Sequence, residues 1–120
     1  MRFVALGIVL FALGGCAAQP LYTWGGYEKM LYAGYKDPAK MEELKLGLES
    51  HIAAMDKSSQ KIAPGLLAEL GTLYLESGSS DKAIAMYARE REAWPESRGL
   101  MDVMIKNLER RKQARAEDIK

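Results

Sequence analysis

Few side chains in this sequence are of a type and spacing suited to catalysis. His51 is the one histidine and Cys16 the one cysteine. A lone histidine, with no cysteine beside it and no second histidine at i+3 or i+4, makes a poor metal site; it reads as a boundary residue beside an apolar stripe. Glu42-Glu43 and Glu90-Arg91-Glu92 carry carboxylates at helical spacing, but nothing brings a pair of them together across a substrate as acid–base hydrolysis needs. Gly25-Gly26 lacks the lysine and the strand–loop–helix setting of a phosphate loop. A serine nucleophile would have His51 alone as its base. No enzymatic activity, metal or bound cofactor is therefore expected.

Cys16 has a different chemistry in prospect. Arg2 precedes an apolar run from Phe3 to Leu13, which has the length of an export signal and falls short of the roughly 18–20 residues that span a bilayer. The run stops at Leu13-Gly14-Gly15-Cys16. This resembles the lipobox of lipoprotein precursors, in which two small residues let the chain lie extended in a protease site and the thiol takes a diacylglycerol. The resemblance implies cleavage between Gly15 and Cys16, followed by N-acylation of Cys16. With its one thiol consumed, the chain has none left for a disulfide or a thiolate metal site. Ala17, in place of the aspartate that retains such proteins in the inner membrane, resembles the outer-membrane class; the expected location is the outer membrane with the protein facing the periplasm, the cell exterior being the alternative. Two or three acyl chains anchor a protein stably, at about 0.8 kcal/mol per buried CH₂.

The elements that follow must be helices. Once Arg2 leaves with the signal, basic residues equal the 16 acidic ones, a balance that gives no support for a nucleic-acid partner. Seven methionines, frequent Ala and Leu, and no segment of period-two alternation argue for an all-α fold. The divisions expected are a signal peptide at 1–15, a lipidated tether at 16–26, a helical domain at 27–112 and a solvated tail at 113–120. Tyr27, Leu31 and Tyr35 share one face of a first helix. Asp37-Pro38 starts a second, whose stripe is Met41, Leu44, Leu48, Ile52 and Met55. Residues 56–63 connect, and Pro64 opens the next element.

From Pro64 the spacing resembles one tetratricopeptide repeat, a helical hairpin of 34 residues. Leu67, Leu70, Gly71, Tyr74, Ala83, Tyr87 and Pro95 fall on its positions. Small Gly71 and Ala83 suit the helix crossing, and Tyr74 and Tyr87 fill the space beside it. Glu90 departs from the pattern, which favours a small residue there. Such hairpins need stacked neighbours. The upstream helix supplies one, and a capping helix begun by Ser97, with Leu100, Met101, Met104, Ile105 and Leu108, supplies the other. The expected architecture is a short tetratricopeptide-like array of stacked hairpins with a C-terminal capping helix.

Four blocks, Pro20–Glu28, Pro64–Gly71, Ala83–Tyr87 and Trp94–Ser97, are similar to a family of small Gram-negative outer-membrane lipoproteins built on a domain of unknown function. The resemblance implies a place in an envelope assembly with a curli-secretion-channel-like lipoprotein and other envelope lipoproteins as partners. The expected role is a lipid-anchored protein–protein interaction module or accessory subunit, taking no small-molecule substrate. The alternatives are activation of a peptidoglycan synthase, or direct binding of cell-wall glycan. Candidate partner-binding residues are Tyr22, Trp24 and Tyr27 in an aromatic patch, with Glu69 and Arg89 as exposed groups on the repeat helices. The aromatics have a second reading as core, or as residents of the membrane interface.

Overall fold

A computed structural model describes residues 20–119; the export signal, the cleavage site at Gly15 and the lipidation site at Cys16 lie outside the described residues. Among these, five α-helices account for the fold and no strand occurs: α1 (Tyr27–Lys36), α2 (Met41–Lys57), α3 (Leu66–Glu76), α4 (Ser80–Ala93) and α5 (Arg98–Asp118). Single 3₁₀ turns at Pro38–Lys40 and Pro95–Ser97 lead into α2 and α5. The fold is all-α. Each helix packs chiefly on the next in sequence, α1 on α2, α2 on α3, α3 on α4 and α4 on α5.

Local sequence explains the corners. Asp37 Oδ1 accepts from the Ala39 N–H at 3.1 Å, so Pro38 opens a 3₁₀ turn and the α-helix proper starts three residues later than the Asp-Pro signal suggests. At the end of α3, the Ser79 N–H reaches Tyr74 O at 2.8 Å and the Gly78 N–H reaches Leu75 O at 3.0 Å. These are the paired bonds of a Schellman turn, with Gly78 in the left-handed conformation the turn demands. Ser79 and Ser97 precede α4 and α5 without a side-chain cap.

The α2 stripe is buried as Leu44, Leu48, Ile52 and Met55, against Ile62, Ala63, Leu66, Leu67, Leu70 and Leu73. A second cluster joins α4 to α5 through Ala83, Tyr87, Met101 and Leu108. Half-buried Tyr74 borders both clusters, and Pro95 is exposed. Leu100 is also exposed, contrary to the expected stripe: among the described residues α5 packs chiefly on α4, through the narrower face of Met101 and Leu108. From Glu109 on its side chains are exposed, yet the helix runs to Asp118, sustained by Ala, Arg, Lys and Glu, which favour helix without a packing partner.

α1 turns a different face inward than its aromatic spacing suggests. Tyr27 and Met30 pack toward the core and Gly34 is buried, while Leu31 and Tyr35 are exposed. The cause is a reciprocal pair of contacts: a Cβ on Gly34 would meet the Met41 sulfur and a Cβ on Gly47 would meet the Met30 sulfur. Two glycines facing two methionines bring α1 and α2 close and fix the rotation of α1.

Candidate interaction site

The segment before α1 is a strap rather than a loose tether. The Tyr22 ring meets Trp94 edge-on, with centroids 5.5 Å apart and planes at 87°, and the Lys61 ammonium lies 3.8 Å from the Trp94 ring centroid. One residue on, the carbonyl of Thr23 accepts from His51 Nε2 at 3.0 Å. Gly25, at φ 59°, lies where any Cβ would overlap the His51 imidazole. The Tyr27 N–H then donates to Trp24 O at 3.0 Å, and the Trp24 and Tyr27 rings stack with centroids 6.5 Å apart. His51 is thus the clamp that holds the strap on α2. Its bond partner lies 28 positions away, a distance at which no spacing signal operates.

The five candidate partner-binding residues divide. Tyr22 is half-buried against Trp94, and Tyr27 is half-buried at the core edge; both do structural work. Trp24 remains exposed. Glu69, expected on the surface, is half-buried; burial, and then the charge of Glu76, raise its pKa above the ordinary carboxylate value. Burial, and then the Glu69 charge, likewise raise Tyr27 above the ordinary phenol. The Glu69 charge thus acts on Tyr27, while Arg89 is engaged elsewhere. Its guanidinium Nη2 donates to both oxygens of Asp56, at 2.7 and 3.0 Å, and ties α4 to the end of α2.

That ion pair closes one end of an open groove of about 390 Å³ between α2 and α4, with α3 beneath. Ile52, Leu70, Tyr74 and Met86 supply apolar surface, and Glu49, Asp56, Lys82 and Arg89 bring charges of both signs. Tyr74 donates its hydroxyl to Glu49 Oε1 at 2.6 Å. Loss of solvation, that hydrogen bond and the Glu49 charge push the phenol up to about 12. The Lys82 ammonium sits 5.1 Å from the same ring centroid. Apolar surface flanked by fixed charges can accept a peptide segment and discriminate its side chains. It offers no acid–base pair converging on one atom.

Glu90, the departure from the repeat pattern, is 1% exposed. Its Oε1 accepts from the Gly65 N–H at 2.8 Å and from Ser97 Oγ at 3.3 Å. The carboxyl therefore replaces close helix contact with a polar tie between the turn before α3 and the turn before α5. Glu90 Oε2 and Trp94 Nε1 are buried without a protein partner. Among the described residues no group of three or more His, Cys, Asp or Glu could hold a metal ion, and no helix is long and apolar enough to cross a membrane.

The model of the family described as Domain of unknown function (DUF4810) matches residues 21–104, more than two thirds of the chain. The match runs from the strap into α5 as far as Met104. No curated protein matches the chain, and no solved structure does.

Proposed function

The chain belongs to the DUF4810 family, and from that premise we propose that it is an outer-membrane-anchored lipoprotein whose helical array is a protein–protein interaction module, an accessory subunit of an envelope assembly. The observation that carries the reading is the groove over α3. Its apolar surface is bordered by two preset polar contacts, Arg89 on Asp56 and Tyr74 on Glu49, so a bound segment meets side chains already held in place. Helices that pack on their sequence neighbours support a tetratricopeptide-like stack, an architecture whose extended surfaces bind partners. Leu13-Gly14-Gly15-Cys16 supports the anchor and the outer-membrane address.

The test is photocrosslinking in intact cells with a benzoylphenylalanine at Ala53, an exposed position lining the groove. A dominant crosslink to another envelope lipoprotein, weakened by Met86→Asp, is the expected result. A dominant crosslink to a peptidoglycan synthase would replace the accessory-subunit reading by that of an activator. Absence of any protein crosslink at Ala53, with the protein folded and in the outer membrane, would overturn the groove as the binding site.

A further inference from the structure

We propose that the outer face of α1 rests on the lipid surface to which Cys16 is joined, with Trp24, Leu31, Tyr32 and Tyr35 entering the headgroup region. The proposal rests on the reading of Cys16 as lipidated and adds a defined orientation to it.

Large exposed apolar side chains gather where the anchor begins. Leu31, Tyr32 and Tyr35 are 36%, 60% and 87% exposed, with Leu21 and Trp24 exposed just before them. Leu31 and Tyr35 are spaced i, i+4 and Tyr32 and Tyr35 i, i+3, so the three form one patch on α1. Elsewhere among the described residues the exposed large apolar side chains are Leu46, Leu100, Val103 and Ile119, none of them aromatic. Tyrosine and tryptophan, with an apolar body and a polar tip, are the residues that favour the headgroup level. The charges around the patch suit that level too. The Lys36 ammonium lies 4.6 Å from the Tyr32 ring centroid, Lys29 is exposed beside it, and Glu28 is the acidic group on the same face.

Chain length makes lipid the occupant. The strap is fixed on the body at Tyr22 by Trp94, which leaves Ala17–Leu21 between Cys16 and the first docked ring. At about 3.3–3.6 Å per residue that span reaches roughly 20 Å at full extension. α1 begins five residues after Tyr22, so an acylated chain holds this helix close to the surface. The face is also small. A ten-residue helix is about 15 Å long, and its outer side falls well short of the ~800 Å² per partner of a stable protein interface. Insertion beside an acyl anchor needs no such area, because the acyl chains already supply most of the membrane affinity.

The experiment uses the full acylated protein in vesicles of phosphatidylethanolamine and phosphatidylglycerol. Because Cys16 carries the lipid, Glu28→Cys gives a unique thiol within the α1 patch that leaves every ring in place, and Glu109→Cys gives a control on exposed α5. Each is labelled with a polarity-sensitive fluorophore. The expected result is blue-shifted emission at position 28 and several-fold stronger quenching there by nitroxide lipids than at position 109. Tyr32→Ser with Tyr35→Ser should return the position-28 probe toward water. Equal, aqueous signals at both positions on an acylated, vesicle-bound protein would overturn the lipid contact and leave the anchor intact. A mass spectrum showing Cys16 without acyl chains would overturn both readings.

Discussion

A Cβ on Gly71 would lie 2.7 Å from Cε1 of Tyr87, so the α3–α4 hairpin closes on a contact that leaves no room for a methyl. Tyr87 cannot swing aside, since it is fully buried and its hydroxyl is hydrogen-bonded to Thr72 Oγ1 at 3.0 Å. Alanine would improve helix propensity by about 1 kcal/mol, but the overpacking costs about 1–3 kcal/mol. Gly71→Ala is therefore expected to lower the urea midpoint at unchanged slope. A midpoint equal to or above the parent's would show that the crossing is looser than the contact implies.

Glu90 is expected to matter as an acceptor. Glu90→Ala removes the acceptor of the Gly65 N–H and opens a cavity where a fully buried side chain stood, a loss of about 2–3 kcal/mol. Glu90→Gln keeps an oxygen for Gly65 and should cost less than half as much. Urea denaturation gives the two values, and amide exchange at Gly65 locates the effect. Equal losses in the two variants would mean that the Gly65 bond contributes little.

The helices were legible because their apolar stripes are strong and the hairpin's small and aromatic residues have a fixed spacing. Leu44, Leu48, Ile52 and Met55 needed nothing beyond periodicity. The rotation of α1 was hidden, because its aromatic stripe reports which side chains are apolar and not which face Met41 and Met30 will cover. Non-local pairing explains the other differences. Arg89 reads as exposed until Asp56, 33 positions away, is brought beside it. Tyr22 reads as tether until Trp94 arrives from the far end of the stack. Glu90 reads as a misfit until the Gly65 N–H turns toward it. In each case the partner is set by the fold, and the residue's own neighbours in sequence carry no trace of it.

The Glu49–Tyr74 bond should give the protein an alkaline limit. Tyr74 ionises near 12 in the folded chain and near 10 when unfolded. A raised pKa means that the folded state holds this proton more tightly. The stabilisation is fully present below pH 10 and is lost as pH climbs from 10 toward 12. Spectrophotometric titration of the parent minus Tyr74→Phe should reveal one late-ionising phenol, and Glu49→Gln should bring it down by removing the accepting charge. A Tyr74 that titrates with the other tyrosines would sink the assignment.

The strap should behave as a local unit with its own stability. Gly25 combines a left-handed φ with a Cβ position already filled by the His51 ring. Gly25→Ala meets both the conformational penalty, roughly 1–2 kcal/mol for an L-residue, and the clash. His51→Ala removes the bond to Thr23 O but also clears the space. The two substitutions should therefore be non-additive, the double variant releasing the strap less than the sum of the singles. Release is read by chymotryptic cleavage after Tyr22 and Trp24, and by the fluorescence of Trp94 as the Tyr22 ring leaves it. The urea midpoint of the helical stack should move far less than the cleavage rate, since the strap meets the buried cluster through one half-buried ring, Tyr22. Strictly additive cleavage rates would mean that Gly25 and His51 are not in contact, and the strap would then have to be held by Tyr22 on Trp94 alone.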